Sequence, residues 1–137
     1  MRLTLFLAAA AGVALASTAS AQNFSDDFDS YATGMALHGV NGWKGWDNNP
    51  AWGASTSSTQ ANTAPNSVQI DGAADLVREH PGTTFGQWRY RTMTYVPSGS
   101  TGTSFFILLN QYNDGGPYNW SLQLQFNNTT GLLDDFD

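Results

Sequence analysis

The side chains that could do chemistry in this sequence are few, and most are carboxylates. Eleven acidic residues stand against five basic ones, with two histidines, His38 and His80, and no cysteine. Hydrolysis of a glycosidic bond needs two carboxyl groups roughly 5–9.5 Å apart across the scissile bond. Glu79 is the single glutamate, and its nearest acidic neighbour along the chain is Asp75. On an extended segment the two share a face but lie about 13 Å apart, at roughly 3.3 Å per residue. That spacing serves neither the retaining nor the inverting geometry, so Glu79 reads as a solvated strand end. Nucleophilic catalysis is no better supplied. No Gly-x-Ser-x-Gly elbow is present, and His38, in "ALHGVNGW", reads as a loop residue rather than a base.

Metal chemistry is limited in the same way. Without cysteine and with two histidines, no imidazole or thiolate zinc site is expected. Donors that calcium could use are present, because it takes carboxylate and carbonyl oxygens from loops. "NDGG" at 113–116 and "DDFD" at 26–29 could each supply such oxygens. In a strand, Asp27 and Asp29 share a face and Asp26 does not. The triplet could therefore chelate only where the strand breaks, and no resident cofactor is expected.

Aromatic and amide side chains are more abundant. "NGWKGWDNNPAWGAS" (41–55) holds three of the five tryptophans, Trp43, Trp46 and Trp52. Trp43 and Trp46 are three residues apart and fall on opposite faces of an extended segment, so one straight strand cannot present all three rings. Trp43 is expected in the core. Trp46 and Trp52 flank the "NNP" turn and are candidate rim aromatics. In "NWSLQLQFN" (119–127), Trp120, Leu122, Leu124 and Phe126 alternate with Asn119, Ser121, Gln123, Gln125 and Asn127. Its neighbour "SFFILLNQY" is apolar on both faces until Asn110, and "NDGGP" between them is a hairpin signal. Pairing residue 112 with 119 would put Phe105, Ile107 and Leu109 beside the apolar set. The other face would then carry Asn110 and Tyr112 beside Asn119, Ser121 and Gln123. Such a face is either the solvated outside of a sheet or a sugar-binding surface. In the second case Tyr112 would stack on the ring, and Asn110, Asn119, Ser121 and Gln123 would bond to hydroxyls.

The elements that must position these groups read as strands. After the first segment helical periodicity is almost absent, and short β-rich runs alternate with turn residues. Strands are expected at 23–29, 42–47, 53–58, 67–71, 74–79, 87–96, 104–112 and 119–127, separated by "NNP", "NTAPN", "DGA", "HPG", "PSGSTG" and "NDGGP". The leading segment is different: Arg2, an apolar run from Leu3 to Ala16, then Ala19-Ser20-Ala21. That is the layout of a secretory signal peptide cleaved before Gln22, leaving one domain at 22–137 in a secreted, periplasmic or extracellular setting. The run is too short for a membrane span, which needs about 20 apolar residues. With a net charge of −6 and no basic stripe, nucleic acid and anionic membrane surfaces are poor partners.

Four stretches together resemble a known family: "FSDDFDSYATG" (24–34), "GWKGWDNNP" (42–50), "GQWRYRTMTYVPSG" (86–99) and "SFFILLNQYNDGGPYNWSLQLQF" (104–126). They are similar to secreted bacterial proteins of the concanavalin A-like lectin/glucanase superfamily, the laminin-G-like jelly rolls. The resemblance implies an all-β, antiparallel β-sandwich of jelly-roll type, with sugar binding on the concave face or its rim loops. The glycosidases of that superfamily carry a Glu-x-Asp-x-x-Glu motif, which this sequence lacks. Such domains also run on for several more strands, so the expected sandwich lacks its last strands and leaves a sheet edge open. The expectation is a secreted, non-catalytic carbohydrate-binding domain whose partner is an extracellular polysaccharide or glycan. The alternative is a structural or adhesive module that binds protein, or self-associates through the open edge.

Overall fold

The computed structural model describes residues 24–82 and 86–136, and over that range the fold is all-β with antiparallel sheets. The leading segment 1–21 therefore lies outside the described residues. The strands are β1 (Trp43–Gly45), β2 (Ser55–Ser57), β3 (Ser67–Gln69), β4 (Leu76–Arg78), β5 (Thr103–Gln111), β6 (Asn119–Asn127) and β7 (Leu132–Phe136). They form two two-stranded pairs, β1–β4 and β2–β3, and one three-stranded sheet in the order β5-β6-β7. Two 3₁₀ turns, Trp46–Asn48 and Pro50–Trp52, follow β1.

The first half is a set of tight reversals because turn residues recur too closely for long strands. Gly39, Asn41 and Gly42 all take left-handed backbone angles before β1, with φ of 81°, 47° and 79°. Only glycine adopts these at no steric cost, and asparagine tolerates them. Gly45 is required for a second reason: a Cβ there would run into the Asn49 carbonyl oxygen and the Gly53 amide nitrogen. The centre of this half is Leu37, fully buried, beside Ala54, Thr56 and Asn66. Its polar members are satisfied. Thr56 Oγ1 donates to the Ala32 carbonyl at 2.6 Å, and Asn66 Nδ2 donates to the Tyr31 carbonyl at 2.7 Å. Thr33 Oγ1 donates to Asn66 Oδ1 at 2.7 Å, so the buried amide is held on both sides.

Several strands differ from the sequence expectation. Over 24–29 there is no strand, because the aspartates cap their own backbone: Asp26 Oδ1 accepts from the Phe28 amide at 3.0 Å, and Asp27 Oδ1 from the Asp29 amide at 3.1 Å. Short polar side chains that bond two residues ahead turn the chain away from a ladder, and Phe28 takes a φ of 64°. Residues 87–96 form no ladder with another described segment. The remaining early strands are three residues each. β6 has the expected bounds, whereas β7, in "GLLDDFD", was not anticipated.

The hairpin register is shifted by one from the expectation. Gln111, not Tyr112, pairs with Asn119, and Phe106 and Leu108 sit opposite Leu124 and Leu122. Gln123 and Gln125 are therefore opposite Ile107 and Phe105. The cause is in β5: "FFILL" is apolar at successive positions, so a slip of one costs it no burial and the alternation of β6 alone cannot select a register. Two offset breaks, between Leu108 and Leu109 and between Leu109 and Gln111, leave Ser121 and Asn110 without a cross-strand partner.

Candidate functional site

Trp43, at the start of β1, and Trp46, at the start of the 3₁₀ turn that follows it, seed two separate aromatic clusters. Trp43 packs against Phe24 and Phe28, with ring centroids 6.1 and 5.7 Å away. The Arg78 guanidinium lies 3.5 Å from the Phe24 centroid. Its Nη1 donates to the Asn41 carbonyl. The indole N–H of Trp43 donates to Asp26 Oδ2 at 2.8 Å, as does the Tyr31 hydroxyl, with Asn41 Nδ2 at 3.2 Å. Burial raises the Asp26 carboxyl, but the bonds from Trp43, Tyr31, Phe28 and Asn41 outweigh it and hold it below its ordinary value. Trp43 is half-buried, so it lines the edge of the packed region rather than its centre.

The second cluster joins segments far apart in sequence. Trp46 stacks nearly parallel on Trp120, at 5.8 Å and 7°, and meets Tyr112 edge-on at 5.0 Å. Tyr118 completes the group, 4.8 Å from Trp46. Asp47, with a left-handed φ of 54°, ties this group to the hairpin loop. Its amide donates to the Tyr112 hydroxyl at 2.8 Å, and its Oδ1 accepts from the Gly115 amide and the Tyr118 hydroxyl at 2.9 and 2.5 Å. Lys44 Nζ adds ion pairs to Asp114 at 2.6 Å and Glu79 at 2.5 Å, and sits 5.0 Å from the Tyr112 ring centre. Glu79, read from sequence as a plain solvated strand end, is in fact one arm of this pairing.

Titration follows from these contacts. Burial, with the Asp114 carboxylate beside it, pushes the Tyr112 hydroxyl up to about 12, against a smaller opposing effect of the Asp47 amide. Burial works against the Lys44 charge, but the bonds to Asp114 and Glu79 prevail and raise it. The Asp75 carboxyl is raised by burial and then by the nearby Asp47 charge. His80 is lowered by burial and by the Arg78 charge.

A cleft of about 290 Å³ opens at the two breaks in the β5–β6 register. Leu108 and Leu109 line it together with Asn110 and Ser121, and Trp88 and Tyr90 form the aromatic wall. Both rings remain accessible, at 41% and 46% exposure. Among the described residues, no charged side chain lines the cleft. The cleft is a shallow surface feature in which two leucines, two flat rings, an amide and a hydroxyl meet, and its volume is just under the smallest usual for ligand sites, about 300 Å³.

Of the residues singled out from sequence, Asn110 and Ser121 meet at this cleft, and Trp46 and Tyr112 meet in the adjoining ring cluster. Tyr112 lies past the end of the ladder, and its hydroxyl is taken by Asp47 and Asp114. Asn119 ends the ladder opposite Gln111, and Gln123 sits between Ile107 and Phe136 as cross-strand partners. The single polar strip expected from a 112–119 pairing is thus divided. Trp52 is exposed at the end of the second 3₁₀ turn, outside both ring clusters among the described residues. Trp120, read from sequence as part of the apolar face of its strand, is 46% exposed and covers Trp46. Trp88 and Tyr90 were missed as site residues. Their shared parity in "QWRYR" was the available signal.

Both acidic loops considered for calcium are engaged by the protein itself. Asp29 Oδ1 accepts from the Asn66 amide at 3.1 Å, and Asp114 Oδ1 from Lys44 and Tyr112. Among the described residues no group of three or more His, Asp or Glu side chains could hold a metal ion. No helix among them is long and apolar enough to cross a membrane. No family model, curated protein or solved structure matches this chain.

Proposed function

We propose that this chain is an exported, non-catalytic module that binds an uncharged extracellular polysaccharide. The observation that carries the reading is the cleft in which Trp88 and Tyr90 face Leu108, Leu109, Asn110 and Ser121. A pyranose ring has one face of C–H groups and an equator of hydroxyls. Indole and phenol rings cover the first, and an amide, a hydroxyl and unladdered backbone groups bond to the second. The described residues that line the cleft, Trp88, Tyr90, Leu108, Leu109, Asn110 and Ser121, are uncharged, which favours a neutral glycan over a uronic acid or amino sugar. The leader-like sequence at 1–21 supports export. The resemblance of 24–34, 42–50, 86–99 and 104–126 to concanavalin A-like jelly rolls supports a sugar ligand.

A polysaccharide pull-down followed by calorimetric titration with neutral and anionic polymers tests this. Binding to a neutral polymer is expected, and Trp88→Ala should weaken it at least ten-fold, about 1.4 kcal/mol. Absence of binding to any polymer, or a Trp88→Ala variant that binds as well as the parent, removes the reading.

A second reading rests on a different observation. β7 is an outer strand, and Leu132 and Leu133 on it are both exposed. An apolar outer strand can pair with another chain, which supports an adhesive or self-associating module. Sedimentation at increasing concentration separates the two readings: a species that stays monomeric speaks against the second.

A further inference from the structure

We propose that residues 87–96 are a strap that closes onto the free edge of β5 as an antiparallel strand, hinged on the turn at 97–102. β5 is bonded to β6 on one side, and its other edge has no ladder partner among the described residues. The strap carries the residues of a strand without the pairing. "QWRYRTMTYV" is built almost entirely of aromatic, β-branched and long side chains, the composition strands favour. Between Gly86 and Gly99 no residue takes a left-handed backbone angle. The chain then reverses through "PSGSTG", where the Ser100 amide donates to the Pro97 carbonyl at 3.1 Å and Gly99 and Gly102 take φ of 85° and 83°.

Counting outward from that turn sets the register. With Val96 opposite Thr103, Thr94 meets Phe105, Thr92 meets Ile107, Tyr90 meets Leu109 and Trp88 meets Gln111. The cleft holds Trp88 and Tyr90 together with Leu108, Leu109 and Asn110, and that count pairs Tyr90 with Leu109 and Trp88 with Gln111, one residue beyond the lining. The Trp88–Tyr90 end of the strap thus lies near the edge of β5 with no ladder to it.

Physical terms favour closure by this segment over pairing with a second molecule. A six-residue connection makes the encounter intramolecular, and short loops cost little entropy to close. A second copy would lose its translational and rotational freedom as well. Closure also satisfies an open row of backbone groups. It would shelter large side chains such as Phe105, Met93 and Tyr95, which are 51–61% exposed as the strap stands. Because Trp88 and Tyr90 ride on the strap, the aromatic wall of the cleft moves with it.

The absence of cysteine makes engineered cross-links unambiguous. Double variants of the full chain would pair Thr94→Cys with Phe105→Cys, Thr92→Cys with Ile107→Cys, and Tyr90→Cys with Leu109→Cys. Thr92→Cys with Thr103→Cys serves as the mismatched control. Cα atoms of facing strand residues fall within disulfide range, whereas the control is separated by four further positions. At least one matched pair should oxidise to an intramolecular disulfide in the monomer at least ten-fold faster than the control. In the cysteine-free protein, alternate amides of 88–96 should exchange at least ten-fold more slowly than in an unfolded chain, and Thr92→Pro should abolish that protection. Cross-linking no faster than the control, or amides exchanging at unfolded rates, overturns the strap. Neither readout involves a sugar, so failure of the strap and failure of the sugar reading are told apart, although the strap carries the rings of the same cleft.

Discussion

Trp43 and Trp46 are three residues apart, yet they end in regions of opposite construction. The ring of Trp43 closes a largely local knot: Phe24, Phe28, Tyr31 and Asn41 come from the preceding twenty residues, Asp26 takes the indole N–H, and Arg78 is a more distant member. The ring of Trp46 instead joins Tyr112, Tyr118 and Trp120, more than sixty residues away, and fastens the long hairpin to the first half. A local knot needs little loop closure and can form early. A long-range clasp must first offset the entropy of closing a large loop. Such a clasp is the part of a fold expected to open first under stress.

The largest expected effect separates the two directly. Trp46→Ala and Trp43→Ala should each cost about 2–4 kcal/mol, below the full cost of a buried tryptophan because both rings are half-buried. The difference lies in where amide exchange accelerates. For Trp46→Ala it should rise across β5 and β6 while the Leu37 region stays protected. For Trp43→Ala it should rise first around residues 26–31. If both variants loosen the same amides, the contrast between clasp and knot is wrong.

A smaller effect sharpens the knot. Asp26 is held below its ordinary value of 3.8 in the folded chain. A depressed carboxyl contributes stability that is complete above the unfolded value and is lost as pH falls through the folded one. Melting temperature should therefore drop on acidification below about pH 4. Asp26→Asn should lower stability at neutral pH and flatten that acid limb. An unchanged limb would mean that other carboxylates govern acid unfolding.

The smallest effect probes the clasp. Tyr112 is pushed up to about 12, so its contribution is complete below the unfolded value of 10.0 and is lost as pH rises toward about 12. Ultraviolet titration should show Tyr112 ionising well after the ordinary phenol range. Tyr31 is raised as well, by burial and by its bond to Asp26, and Tyr118 by its bond to Asp47 and by burial. Tyr112→Phe should therefore remove the latest part of that step and leave the ordinary phenol range unchanged. A single phase near 10 would argue that Tyr112 is not enclosed as described.

Much of the fold was legible because it depends on neighbours in sequence. The β6 alternation "NWSLQLQFN" defined its strand, and turn residues marked the breaks between the others. At 24–29 the same reasoning failed, since β propensity competed with aspartate side chains that capped their own backbone. The hairpin register failed for a different reason: with both faces of β5 apolar, nothing local opposed a slip of one. The candidate site was half legible. Asn110 and Ser121 stood out as amide and hydroxyl near the end of a strand pair. Trp88 and Tyr90, which complete the cleft, lie on a segment whose placement depends on contacts made over about twenty residues.

The sequence alone determined the class of the fold, the strand at 119–127, and the lack of a paired-carboxylate motif. These follow from composition and from the period of two along an extended chain, which need no partner to be read. Only the tertiary structure decided which residues face each other across the hairpin, which ring covers Trp46, and where the cleft opens. Those outcomes are set by burial and hydrogen bonding between distant segments, where several pairings satisfy the local pattern equally and only the whole packing distinguishes them.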